Sequence, residues 1–497
     1  MPVQPKKSGL VAKQNEVLRE QLDRLAEIGG KLTTEDDIVF EGTKFIIPAA
    51  LKLPEAVRIL SKRADDEESI IKFSRVYTFR PYDGAHATML AIRQCFGFTQ
   101  GKTIRTFFGD QPPQLIDVQT GIDTRAAVPW GAMVIPGLQD AVLHLLAQHN
   151  EELGQVFAVS VQCRRKDRFS IEGLFIVIQD ILETNSIYRG KAIDGAETPG
   201  FLDVSAVDFE DVVYTKEVMQ QLETLVWSPI KHAEQLAALR MGGKRTTLLE
   251  GTFGTGKTLA AYLTAKVAIE NGYTFIMCRP GKDDPFQVLM TARMYQPAVV
   301  FIEDVDTFTG PGADRDAVTK VLDVTDGMAT KGLRLNLVMT TNHAELIHKG
   351  MIRPGRLDGI IHIGFMDREG VERLAKRVIG SKLDPDTNFD EVFKAMEGYT
   401  PAFVKEAFDR AVRYSIARND GRLGPLSTED LVGGANGLRD HHMLMEGASE
   451  IRSLPGLDGK FAELITNAAD EALRRRVDGA EIYDDDSNYF GRIVIDS

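Results

Sequence analysis

Cysteine is scarce: three in 497 residues, Cys95, Cys163 and Cys278, widely separated. That spacing excludes a disulfide framework and a cysteine-based metal site, and it fits buried thiols in a reducing compartment. No apolar run approaches the roughly 18 residues of a membrane span, and the first 30 residues lack the apolar stretch of a secretory leader. The expectation is therefore a cytoplasmic protein with no membrane partner. Positive charge is also short, since 59 Lys and Arg against 72 Asp and Glu leave a formal charge of −13. This balance argues against a general nucleic-acid coat, although a basic lining inside a ring would escape the count. Usable metal-ligand spacing is missing among the histidines: His144 and His149 are five apart, which turns them to different faces of a helix, and His86 is remote. The apolar content of 43% and charged content of 26% are those of a globular protein, and the length implies two to four domains.

The most informative stretch is Arg245 to Thr258, RTTLLEGTFGTGKT. Thr246 to Leu249 has the make-up of a short buried strand, and Gly251 to Thr258 fits G-x-x-x-x-G-K-[ST] at every fixed position. Gly251, Gly254 and Gly256 let consecutive backbone N–H groups, with those of Thr252, Phe253 and Thr255, turn toward one anion. In such a loop Lys257 reaches the β- and γ-phosphates, the Thr258 hydroxyl holds Mg²⁺, and the helix from Leu259 to Glu270 adds its positive end.

Ahead of this loop, Leu10 to Ile28 has Val11, Leu18 and Leu25 seven apart with Asn15 and Leu22 between them. The pattern suits an amphipathic helix on its own domain or a short coiled coil. Residues 31–200 contain no chemical motif and are expected to form an α+β adaptor or substrate-recognition region. Strands are expected in Asp37 to Pro48, Ile71 to Phe79, Val156 to Val161 and Gly173 to Ile178, and helices over Gly84 to Gln94 and Leu138 to His149. Pro199-Gly200 marks a hinge, followed by helices over Lys216 to Leu225 and Ile230 to Leu239, with Trp227 assigned to the core.

Beyond the loop, Tyr273 to Met277, Ala298 to Ile302 and Leu335 to Met339 are expected as parallel strands. The second ends in Glu303-Asp304-Val305-Asp306 and the third in Thr340-Thr341-Asn342. Carboxylates at the C-terminal ends of such strands face the crevice where Mg²⁺ and an attacking water belong. Asn342 suits a role in holding that water or bonding the γ-phosphate. Arg353 and Arg356 flank Pro354-Gly355, placed for phosphate contact in their own site or a neighbour's. Helices over Arg368 to Ile379, Phe389 to Met396 and Pro401 to Ala417 form a small helical domain, followed by a Gly-rich polar stretch over 420–459, a helix over Phe461 to Arg476 and a C-terminal extension.

From about Phe201 to Val432 these pieces resemble, in order, the AAA family of ATPases: GTFGTGKT, VVFIEDVD, VLDVTDG (Val321 to Gly327), VMTTN, IRPGRLD (Ile352 to Asp358) and GYTPAFVKEAF (Gly398 to Phe408). The resemblance implies a P-loop NTPase fold: an α/β parallel-sheet nucleotide domain over 201–365 and a helical lid over 366–435, between the α+β region and an extension over 436–497. It implies ATP and Mg²⁺ as cofactors, Asn342 as the first sensor, and Arg353 and Arg356 as arginine fingers reaching the neighbouring subunit. It places Asp211, Val212 and Val213 beside the adenine and Gly398 to Ala402 near the ribose. Such ATPases form homo-oligomeric rings, usually hexamers.

Two departures stand out. The strand acids read Glu303-Asp304 where the family has Asp-Glu, which makes Asp304 the water-activating acid and Glu303 the Mg²⁺ partner. The loop Cys278 to Pro285 has no aromatic residue where unfolding members place one, leaving either Arg279 and Lys282 as a pore lining or gripping by the N-terminal region. The expected function is a ring-forming ATPase that remodels proteins or protein complexes. The alternatives are a nucleic-acid motor or loader, and a nucleotide-gated structural assembly with slow hydrolysis.

Overall fold

The computed structural model describes residues 38–40, 43–45, 52–97, 104–106, 109–111, 114–135, 137–138, 141–241, 243–309, 334–343 and 356–443. The expected helix over Leu10 to Ile28, the VLDVTDG segment, Arg353, and the helix over Phe461 to Arg476 lie outside them. The chain folds as two compact units, residues 1–374 with 400–402, and residues 375–399 with 403–497.

In the first unit, β1 (Ile38–Phe40) and β2 (Thr43–Phe45) form a short hairpin, followed by α1 (Leu53–Glu68), β3 (Ile70–Tyr77) and α2 (Pro81–Phe96). A second short pair, β4 (Ile104–Thr106) and β5 (Gly109–Gln111), precedes β6 (Gln114–Gln119), β7 (Arg125–Val134), β8 (Val142–Asn150) and β9 (Gly154–Arg164). Strands β3, β9, β8, β7 and β6 make a five-stranded antiparallel sheet in that order. One face is Tyr77, Phe157, Val159, Leu145, Val161 and Leu143, all buried. It packs against α2 and α3 (Arg168–Thr184). Gly84 permits the closeness of α2, because a Cβ there would lie 2.0 Å from the Phe157 ring.

Two sequence-based assignments fail here. Leu138 to His149 is not a helix: Val142–Asn150 pairs with β9 over nine residues, and burial alternates at Ala141, Leu143 and Leu145 as a sheet face requires. Gly173 to Ile178 is not a strand but the middle of α3. Its buried residues Ile171, Leu174, Phe175, Ile178, Ile181 and Leu182 follow the helical period over a span that a six-residue window cannot reveal.

The same unit contains a seven-stranded sheet. Its elements are β10 (Ala192–Asp194), β11 (Gly200–Phe201), α4 (Lys216–Leu222), a π-helical turn (Glu223–Trp227), α5 (Ser228–Lys231), α6 (Ala233–Ala238), β12 (Arg245–Glu250), α7 (Lys257–Glu270), β13 (Thr274–Cys278), α8 (Pro285–Met294), β14 (Ala298–Ile302), β15 (Leu335–Thr341) and β16 (Gly359–His362). Five parallel strands run β13-β14-β15-β12-β16, and β13 is flanked by parallel β10 and then antiparallel β11. Every residue of β13, β14 and β15 is buried, as in a parallel sheet covered on both faces. The expected hinge at Pro199-Gly200 is instead the start of β11, so the sheet takes in strands that precede Phe201. Trp227 is buried, with its indole N–H donating to Thr264 Oγ1 at 3.0 Å.

One hydrophobic core runs through both sheets, from Tyr77 and Phe157 to Val300 and Leu337. Polar contacts reinforce it. Buried Arg80 donates through Nη1 to Gln155 O at 2.9 Å and through Nη2 to Thr291 Oγ1 of α8 at 2.5 Å, while its backbone N–H donates to the Tyr295 hydroxyl at 2.9 Å. Next to it, Asp83 accepts from Ser186 Oγ at 2.6 Å and from the Ile187 N–H at 3.0 Å.

The second unit contains the C-terminal part of α9 (Arg368–Ile379), α10 (Phe389–Ala395), α11 (Pro401–Arg418) and α12 (Thr428–Asn436). Helix α12 lies in the Gly-rich polar stretch, at the end of the expected helical lid. It starts at a capping box in which Ser427 and Asp430 satisfy each other's backbone N–H groups, and it buries Leu431 and Ala435.

Burial raises the Asp83 carboxyl from 3.8 to about 6, with Ser186, Ile187 and Tyr295 opposing the rise by hydrogen bonding. A carboxyl whose folded value is raised stabilises the fold while protonated and loses that contribution as pH rises from about 4 through about 6. The unfolding free energy of the wild type, minus that of Asp83→Asn, should therefore fall by about 2 kcal/mol between pH 4 and pH 7 in denaturant titrations. Separately, Gly84→Ala should lower stability by about 1–3 kcal/mol at neutral pH, because the Phe157 ring must move.

Candidate active site

The phosphate-loop motif sits where the sequence predicts, between β12 and α7. Gly256 has φ +100° at the N-terminus of α7, and a Cβ on Gly251 would lie 2.2 Å from Ile363 O. Both positions therefore favour glycine. Lys257 is buried, and its ammonium donates to Gly251 O at 2.7 Å, Thr252 O at 2.9 Å and Asn342 Oδ1 at 2.8 Å. Burial lowers its pKa, while the charges of Asp304 and Asp306 act to raise it. A cation held by neutral oxygens beside two carboxylates is ready to exchange those partners for an incoming anion.

Asn342 connects the loop to the acids, because its Nδ2 donates to Asp304 Oδ1 at 3.0 Å. The line Lys257–Asn342–Asp304 thus joins the start of α7 to the C-terminal ends of β15 and β14. Asp304 has φ +44°, unusual for a residue with a side chain, and its N–H donates to Thr340 Oγ1 at 2.9 Å. Asp306 accepts from Thr341 Oγ1 at 3.0 Å and from the Asn342 N–H at 3.3 Å, holding the Asn342 backbone. Among the described contacts, Glu303 joins this corner through its backbone, with its N–H donating to Cys278 O at 3.0 Å.

Of the other candidates, Thr252, Phe253 and Thr258 are exposed. Phe253 meets His343 edge-on, with ring centroids 6.4 Å apart. Thr255 is buried and its hydroxyl donates to Thr252 O at 2.9 Å. Gly254 O accepts from the Ala402 N–H at 3.1 Å, which brings Ala402 to the loop. Val212 is buried and Val213 half-buried. Arg356 is half-buried just before β16, and Arg353 lies outside the described residues. Arg279 and Lys282, expected as a pore lining, are paired with Asp194 on β10, at 3.3 and 3.0 Å.

Sequence reasoning missed Tyr214, whose hydroxyl donates to Gly256 O at 2.5 Å and whose carbonyl accepts from Arg373 at 2.8 Å. It also missed the support given by Thr340 and Asp306. Apart from Tyr214 following directly on Val213, no local pattern signals these contacts, which the fold creates across 42 and 36 residues.

The phosphate loop, Asp304 and Asn342 fall within a segment that matches a known family. Residues 247–365 match the model of the AAA family, the ATPase family associated with various cellular activities. The match runs from β12 to just past β16. The chain is also similar to three curated proteins. The proteasome-activating nucleotidase of Methanocaldococcus jannaschii is 28% identical over 250 residues, 46% of this chain and 56% of that protein. The nuclear valosin-containing protein-like protein of Mus musculus is 26% identical over 280 residues, 51% of this chain and 32% of that protein. Protein CdcH of Halobacterium salinarum is 25% identical over 332 residues, 62% of this chain and 43% of that protein. The chain thus spans from about a third to just over half the length of these relatives.

Removing only the Tyr214 hydroxyl, by Tyr214→Phe, should lower the unfolding free energy by about 1 kcal/mol, since Gly256 O keeps its bond from the Ala260 N–H. Tyr214→Ala, which empties a buried ring site, should cost about 3–5 kcal/mol in the same denaturant titration.

Proposed function

We propose that the chain is a ring-forming ATPase that couples ATP hydrolysis to the remodelling of proteins or protein complexes. The observation that carries this reading is the hydrogen-bonded line from Lys257 through Asn342 to Asp304, which ties a phosphate-binding loop to a carboxylate that can activate water. The AAA segment and the relative named a proteasome-activating nucleotidase support a hydrolase acting in protein handling.

In this reading the triphosphate lies along the backbone N–H groups of Gly254 to Thr258, and Lys257 turns from the loop carbonyls to the β- and γ-phosphates. Val212 and Val213 border the adenine, and Gly398 to Ala402 lie near the ribose. A water held by Asn342 and Asp304 attacks the γ-phosphorus, its proton passes to the Asp304 carboxylate, and the bond to the β-phosphate oxygen breaks to leave ADP and phosphate. The Thr258 hydroxyl and the Glu303 carboxylate are hard oxygen donors that would hold Mg²⁺. When bound, that ion neutralises charge on the phosphates. Arg353 and Arg356 act on the γ-phosphate of an adjacent subunit, which makes a homo-oligomeric ring, usually a hexamer, the active form.

The substrate in this reading is a protein rather than a nucleic acid. Arg279 and Lys282, the basic residues that would favour a nucleic-acid motor, share the Asp194 carboxylate, which offsets half of their charge.

Asp304→Asn should bind ATP within a few-fold of the wild type and lose at least about 100-fold in steady-state turnover. Full turnover by that variant would remove Asp304 from the mechanism. Arg356→Ala and Lys257→Ala should each be nearly inactive alone, whereas mixed rings should regain activity, because one variant supplies an intact nucleotide site and the other an intact finger. No recovery on mixing, or full activity of an isolated Arg356→Ala subunit, would rule out a finger in trans.

A further inference from the structure

At the opposite end of the nucleotide sheet lies a cavity of about 370 Å³. It is lined by the start of β12 and residues beside β13 and β15, together with α6 and the turn after it. Strand β12 alone separates it from the phosphate loop by on the order of 20 Å, so it is not part of the nucleotide site.

Three arginines line it: Arg240, Arg245 and Arg334. Arg245 is committed to the wall, with Nη2 donating to Met241 O at 3.0 Å and Nη1 3.9 Å from Asp358. The guanidinium groups of Arg240 and Arg334 meet no carboxylate among the described residues, and both side chains are exposed. Three guanidinium groups on one cavity are a local reversal of sign in a chain of net charge −13.

Arg240 is also held in an unusual backbone conformation. The turn closing α6 places it at φ +59°, with the Met241 N–H donating to Leu236 O at 2.8 Å. This is the position where helices ordinarily end on glycine, and a side chain there costs about 1 kcal/mol. The strain fixes an arginine at the mouth of the cavity, as strained residues often are at binding sites.

The remaining wall is mostly apolar, with Leu236, Tyr273 and Leu335, the last two buried, beside the polar Asn336. Met241, 53% exposed, lines the cavity as well, and Leu239, 69% exposed, carries apolar surface beside it. A bare phosphate would leave that surface wet, and a ligand confined to the cavity would not reach Leu239.

We propose that this cavity binds an acidic peptide segment bearing an aliphatic or aromatic side chain. Its carboxylates pair with Arg240 and Arg334, and its apolar group enters against Leu236, Tyr273 and Leu335. Charge complementarity chooses the acid, the apolar wall requires the second feature, and the exposed surface at Leu239 and Met241 selects an extended chain over a small anion.

The test is fluorescence anisotropy of a fluorescein-labelled hexapeptide of alternating glutamate and leucine, titrated with the full chain. Saturable binding is expected, weakened at least tenfold in Arg240→Ala/Arg334→Ala and largely retained in Arg240→Lys/Arg334→Lys, with melting curves unchanged in both. A hexaglutamate should bind at least tenfold more weakly. Equal binding by the wild type and the double alanine variant would overturn the site. Equal binding of the hexaglutamate, or pyrophosphate displacing the hexapeptide at lower concentration than hexaglutamate does, would overturn the peptide reading in favour of a simple anion site. A fall in assembly mass of the double alanine variant by light scattering, with hexapeptide binding unaltered, would make the surface a contact between copies and overturn the proposal.

Discussion

The guanidinium of Arg80 is the interaction on which the larger unit depends. It is buried with no ion-pair partner among the described residues, and its charge is spread over the Leu153 and Gln155 carbonyls, the Gln287 carbonyl and the Thr291 hydroxyl. Each bond to a charged donor contributes about 1.5–3 kcal/mol. These acceptors lie at the β8–β9 turn and on α8, so a single side chain fixes both sheets to one another. Asp83, three residues along the chain, extends the contact through Ser186 and Tyr295. The hydrophobic core is continuous from one sheet to the other around this polar seam, in which Arg80 Nε, Arg189 Nε and Gln287 Oε1 have no hydrogen-bond partner among the described residues.

The candidate site is a second network of the same kind, in which backbone geometry sets the chemistry. Thr340 holds the backbone of Asp304 in a left-handed conformation, and Asp306 holds that of Asn342. The two side chains then meet each other, and Asn342 also meets Lys257. Such preorganisation lowers the cost of ordering these groups when charge develops beside them.

What was legible in the sequence was local. The phosphate loop is a contiguous motif, and β14 could be bounded at Ala298 and Ile302 because an apolar run meets acids at one end and Pro297 at the other. Helix α3 was read as a strand because Gly173 to Ile178 is uniformly apolar, while its period emerges only over Arg168–Thr184. In β8 the run Leu143, Leu145, Leu146 also suits a helix, and only the partner strand β9 decides the matter. The pairing of Arg279 and Lys282 with Asp194 joins residues more than 80 positions apart, and no spacing rule points to it. The same holds for Tyr214 and Gly256. Charge counts and motifs register which groups exist, but only the folded chain determines which of them neutralise one another.

Strand β10 has a bearing on how divisible the protein is. Its neighbour β13 is the outermost of the five parallel strands, and it is closed off by residues that precede the AAA segment. A polypeptide beginning at Phe201 would keep the whole phosphate loop yet expose the hydrogen-bonding edge of β13, release the basic loop after it from Asp194, and strip Thr291 and Tyr295 of Arg80. The nucleotide module is therefore contiguous as a motif but not autonomous as a folding unit, and its boundary as an object that can be cut out falls well upstream of its boundary as a family resemblance.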